Sequence, residues 1–127
     1  KKALLCGVTS LFSDPIDIVS VGGYRGFQEF LKHGENLPIR IFQVVPGGLP
    51  VDAKFSNSKS LNLSQEKSAV KHPHVLGMGE VFSLNKVSLS EPKTRKDLSA
   101  MLECDCIING HTAGASEKKL NVKTSRK

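Results

Sequence analysis

His72-Pro73-His74-Val75-Leu76-Gly77-Met78-Gly79-Glu80-Val81 is the stretch on which the fold turns. From Val75 it is a short apolar run of strand length, and after two glycines it delivers a carboxylate, Glu80, at its downstream end. A carboxylate there costs several kcal/mol to desolvate unless it is paired or bound to metal. Salt-bridged, solvated and metal-binding roles all remain open for Glu80 on this ground alone.

Three further runs share the pattern. Val8-Thr9-Ser10-Leu11-Phe12 ends at Ser13-Asp14-Pro15, and Ile39-Arg40-Ile41-Phe42-Gln43-Val44-Val45 ends at Pro46-Gly47-Gly48. Cys106-Ile107-Ile108-Asn109 ends at Gly110-His111. Stretches with helical spacing lie between them. Phe27, Phe30 and Leu31 share a face on a segment that Gly34 is expected to close in the left-handed conformation. Ser64 is the expected N-cap of a helix through Ala69 and Val70. Ser90, Glu91 and Pro92 open a third helix, with Leu98, Met101 and Leu102 on one face. Gly22-Gly23-Tyr24-Arg25-Gly26 reads as a close-packed helix start after a strand; it lacks the spacing that lets a backbone approach a pyrophosphate.

A strand, a helix and a connection recurring at intervals of roughly 30 residues predict an α/β fold of parallel, right-handed crossover units. Active sites of such sheets assemble at the carboxyl ends of the strands. Asp14, Glu80 and His111 all fall at those ends and should converge. A neutral imidazole and a hard carboxylate one strand apart are divalent-metal chemistry. His72 and His74 have His-x-His spacing but precede their strand, so they fall on the amino-end rim and are read as structural.

Composition narrows the class. With 127 residues, 39% hydrophobic and 24% charged, the chain has the make-up of one soluble globular domain. No apolar run approaches the roughly 20 residues that span a bilayer, so a cytoplasmic protein without membrane contact is the expectation. The net charge of +6 is spread out except at Lys118, Lys119, Lys123, Arg126 and Lys127, which read as a solvated tail and not as a nucleic-acid surface. Cys6, Cys104 and Cys106 are odd in number and lack zinc-knuckle spacing; reduced, mostly buried thiols are expected.

Three strings together resemble the adenine deaminase family of metal-dependent amidohydrolases. Gly7-Val8-Thr9-Ser10-Leu11-Phe12-Ser13-Asp14-Pro15 is similar to the segment around the family's Asp-Pro-His-Glu motif. The stretch from His72 to Val81 is similar to its strand bearing the metal-bridging glutamate, and Asn109-Gly110-His111-Thr112-Ala113-Gly114 to its Gly-His-Ala-Pro-Gly ligand turn. Order and spacing agree from Ala3 to about Asn121. The resemblance implies about half of a (β/α)₈ barrel, its second through fifth strands, over residues 1–121, with residues 122–127 a basic tail of a truncated or frame-altered product. It implies a binuclear centre of manganese, iron or zinc, with Glu80 bridging the metals, His111 binding one of them and Asp14 orienting ligands or moving protons. The substrate would be adenine, converted with water to hypoxanthine and ammonia, or a related heterocycle in a cyclic amidohydrolase reaction.

Departures from the family pattern carry weight. Ile16 stands where the motif has His and Asp17 where it has Glu; Gly47-Gly48-Leu49 replaces Ser-Cys-Val, and Thr112-Ala113 replaces Ala-Pro. The first-strand His-x-His, a later His and a final Asp have no counterparts in the chain. The catalytic domain is therefore expected to be incomplete, and the alternative is a non-catalytic remnant or interaction module. An open sheet with two edges should also self-associate into a homo-oligomer or be marginally stable. A sharp monomer peak in sizing chromatography with cooperative melting would contradict that.

Overall fold

A computed structural model describes residues 1–49, 57–81, 92–111 and 116–117. In chain order its elements are α1 (Lys2–Leu5), β1 (Ser10–Ser13), α2 (Ile16–Glu35), β2 (Arg40–Val45), α3 (Leu63–Ala69), β3 (Val75–Met78), α4 (Pro92–Leu102) and β4 (Ile107–Ile108). The strands form one sheet in the order β1-β2-β3-β4, and every neighbouring pair is parallel. The chain is thus an α/β protein of successive parallel β/α units, the architecture of part of a (β/α) barrel. Every expected strand lies within one residue to three residues of its observed bounds. None of the described helices is long and apolar enough to cross a membrane.

One face of the sheet carries the core. Val19, Gly23, Phe27 and Leu31 recur every fourth residue along α2 and are buried, so the helix lays a single apolar stripe on the sheet. Val19, Phe27 and Leu31 cluster with Val45, Val75, Leu61 and Ala69. A second cluster joins Met78 and Val81 to Met101 of α4, with Leu98 packed against it. Leu102 is exposed, so the third residue of the expected α4 face lies outside the contact.

Alternation puts Phe12 and Phe42 on the same side of paired strands. Their rings stack at 5.5 Å. Phe12 is 74% exposed, as is much of Ile107 on the β4 edge. These are the unpaired edge and bare apolar surface on which the expected self-association rests.

The local chemistry differs from expectation at four places. The helix expected to open at the Gly22–Gly26 cluster begins earlier, at Ile16: β-branched Ile18, Val19 and Val21 favour extension, but Val19 is buried at the four-residue spacing of α2. The helix kinks at Gly23, with φ 62° and ψ −152°, and the Lys59 amide donates to the Ser20 carbonyl freed there. The close packing expected of this glycine cluster occurs at Gly26, where a Cβ would meet the Ile18 carbonyl oxygen at 3.1 Å. Gly34 is not left-handed: α2 runs through it and is capped at Asn36, whose Nδ2 donates to the Lys32 carbonyl.

The N-cap of α3 is Asn62 and not Ser64. Asn62 Oδ1 accepts from the Gln65 amide while Gln65 Oε1 accepts from the Asn62 amide, a reciprocal pair unavailable two residues later. The cysteines are free but not mostly buried: Cys6 and Cys104 are exposed and Cys106 is half-buried. Ser90, Glu91, residues 112–115 and the basic tail 118–127 lie outside the described residues.

Candidate functional site

Parallel pairing forces the three chain segments that follow β1, β3 and β4 to emerge at one end of the sheet. Asp14 follows β1 directly, Glu80 follows β3 by two residues and His111 follows β4 by three. Gly79 makes the closest approach possible. A Cβ there would collide with the Asp14 carboxylate and with Val44, so only glycine lets the β3 extension lie against the β1 end.

The Glu80 amide donates to Asp14 Oδ2 at 3.1 Å across 66 residues of sequence. Glu80 Oε1 lies 2.5 Å from His111 Nε2. Asn109 Oδ1 accepts from the Gly110 amide and shapes the turn that presents His111. The Val81 amide donates to the Asn109 carbonyl, and that ties the Glu80 segment to the same turn. Two carboxylates and one imidazole therefore share one mouth, with Glu80 one-third exposed at its side chain and His111 more open.

Burial pushes the Asp14 carboxyl above its ordinary range; the Glu80 amide pulls it down, and the Glu80 charge adds to the rise. Its other oxygen, Oδ1, is buried with no hydrogen-bond partner among the described residues. An uncompensated oxygen beside a second carboxylate is a place that a cation would satisfy. The donor set fits a divalent ion on chemical grounds: hard oxygens from Asp14 and Glu80, and one imidazole nitrogen.

A carboxyl whose folded pKa is raised stabilises the fold below its ordinary value, and that contribution is lost as pH rises through the raised one. At neutral pH the metal-free fold carries the cost. Asp14→Asn keeps an acceptor for the Glu80 amide and removes the charge, so the metal-free variant is expected to melt above the native chain at pH 7. The gap should close near pH 3, as thermal melts in matched buffers would show.

Cys106 takes no part in this mouth. Burial, then the neighbouring Cys104 and Asp105, push its thiol up, which keeps it protonated and poorly nucleophilic.

An adenine deaminase of Cenarchaeum symbiosum (strain A) is 56% identical over 124 residues, which cover 98% of this chain and 20% of that protein. Nearly the whole chain is thus similar to one part of a protein named adenine deaminase. An adenine deaminase of Oceanobacillus iheyensis is 31% identical over 122 residues, and one of Listeria monocytogenes 29% over 116. The chain spans about one fifth of the length of these relatives. No protein-family model matches it.

Two features escaped sequence reasoning. The Gly79–Asp14 contact is one, although the second glycine before Glu80 is a visible trace of it. The other lies at the opposite rim. His72 Nε2 is 3.0 Å from Glu35 Oε1, at the end of α2, and nothing in the sequence marks Glu35 as its partner.

Proposed function

We propose that this chain supplies one side of a metal-centred hydrolytic site of adenine-deaminase type, acting on adenine or a closely related purine in the cytoplasm. The observation that carries the reading is the meeting of Glu80, His111 and Asp14 at three parallel strand ends. Similarity to one part of proteins named adenine deaminase supports the reaction class.

In this reading Glu80 and His111 would hold the divalent metal, and Asp14 lies beside them. Bound ions supply Lewis acidity and lower the pKa of water at the site toward neutrality. The chain's own groups do the rest. Glu80 and His111 would fix the position of the metal, and the Glu80 amide holds Asp14 Oδ2 in place. Asp14 Oδ1 is the buried oxygen available to hold a proton taken from water and to return it to the departing nitrogen. The balanced change is one water added across a ring C–N bond: the C6–amino bond breaks, the water oxygen stays on C6 and ammonia leaves.

The site is not closed by these residues alone. A second reading, a non-catalytic remnant, is favoured by Ile16, which opens α2 two residues after Asp14 where the family motif has a ligand-capable histidine. Metal analysis and ammonia release separate the two. The purified chain supplied with manganese, iron or zinc is expected to retain tightly held metal and to release ammonia from adenine above a metal-free control. Loss of all metal on desalting, with no ammonia formed, would favour the remnant.

A further inference from the structure

A second constellation lies at the other end of β3. Glu35 at the end of α2, and His72 and His74 in the turn that enters β3, each present one ligand atom, and these atoms lie within 4.8 Å of one another. His72 Nε2 and Glu35 Oε1 are 3.0 Å apart. Two donors on one tetrahedral ion, each at about 2.1 Å, sit roughly 3.4 Å apart, so an ion fits between them with only a small parting of the side chains.

The rings are already held. The His74 amide donates to His72 Nδ1 at 3.2 Å, and the His74 ring packs edge-on against both Phe42 at 5.8 Å and His72 at 5.7 Å. His72 and His74 are half-buried, so their rotamers are restricted before any ligand arrives. With Nδ1 accepting, His72 carries its proton on Nε2 and points it at Glu35. Binding through Nε2 moves that proton to Nδ1 and gives up the 3.2 Å contact from the His74 amide.

We infer that Glu35, His72 and His74 form a second divalent-metal site, of the zinc class, that clips the end of α2 to the start of β3. Two imidazoles with one carboxylate are donors for zinc, cobalt or nickel, not for magnesium or calcium. Lys32 and Lys71 line the adjoining cleft of about 460 Å³ together with Glu35 and His72. Their charge weakens attraction for a bare cation, which favours an ion held by ligand bonds over one held by field alone.

Glu80 comes six positions after His74, and in extended chain that is roughly 20 Å. The two sites therefore cannot share an ion. The inference stands whether or not the Glu80 mouth binds metal.

The test uses a Glu80→Gln/His111→Gln double variant, which disables the other mouth. Titrated with zinc, it is expected to bind one ion per chain and to melt at higher temperature as zinc rises. In NMR spectra the ring C–H resonances of His72 and His74 should shift while those of His33, whose Nδ1 contacts the Glu29 carbonyl, stay in place. Adding Glu35→Gln should weaken binding about tenfold or more, and His72→Gln should abolish the zinc-dependent rise in melting. Glu35 is exposed, so its variant should fold, and circular dichroism checks that. Absence of a bound ion in the double variant, or zinc affinity and His72 shifts unchanged by Glu35→Gln, would overturn the proposal.

Discussion

Glu80→Gln should weaken manganese binding by about 10- to 100-fold or more, a loss comparable to or larger than that caused by disturbing the partners of metal ligands. The amide keeps the size and one oxygen of the carboxylate, but it loses the charge that holds a hard cation and the second oxygen a bridge requires. Manganese is the suitable probe because its preference for oxygen donors disfavours the two-imidazole cluster at the opposite rim. Calorimetric titration reads the affinity, and ammonia release from adenine should fall with it. His111→Ala should act through the same ion, so the two losses should not add, since neighbours in one network couple. Equal affinity and equal ammonia release in native chain and variant would remove Glu80 from the site.

Gly77→Ala should be the most destabilising single-methyl change in the described chain. Gly77 has φ +153°, a conformation that residues with a side chain rarely adopt. It pairs with Ile107 across β3 and β4, and an added Cβ would collide with the Ile107 backbone itself. A flexible side chain could swing away from such a methyl; a strand backbone cannot. Overpacking combined with backbone strain should lower stability by about 3 kcal/mol. The collision also pushes β4 away from β3, and with it His111 away from Glu80, so metal affinity should fall even where folding survives at low temperature. Gly22→Ala is the internal comparison. Nothing lies within 4 Å of a Cβ at that position, and alanine there should be neutral or stabilising by up to about 1 kcal/mol. Urea denaturation of the two variants side by side reads both effects; a Gly77→Ala chain as stable as the Gly22→Ala chain would show that β3 and β4 are not packed as described.

Much of the site was legible because its determinants are local in sequence. A run of apolar β-branched residues ending in small or turn-forming ones marks a strand and its downstream end, and parallel pairing then sends every such end to one rim. Asp14, Glu80 and His111 could be assigned to that rim without coordinates. Whether their side chains meet, at 2.5 Å between Glu80 and His111, could not be read that way, because it depends on register and on the Gly79 approach to Asp14. The helix boundaries were less legible. Ser64 and Asn62 are both good cap residues, and the choice between them rests on which one can reciprocate with Gln65. The start of α2 at Ile16 was missed because the Gly22–Gly26 cluster reads as a helix start and β-branched side chains weigh toward strand in isolation, whereas the buried spacing of Val19 with Phe27 and Leu31 favours helix only when the sheet is there to receive it.

The sequence by itself determined the α/β class, the parallel order of strands and the rim to which the carboxylates and His111 belong, because periodicity and strand-end chemistry are written within a few residues of each position. Tertiary structure alone decided the pairings that cross long stretches of chain: the Glu80 amide on Asp14, Gly77 against the Ile107 backbone, and Glu35 beside His72, 37 residues away. Those contacts arise from where whole elements come to rest, and no local pattern encodes the distance between two elements once they are packed.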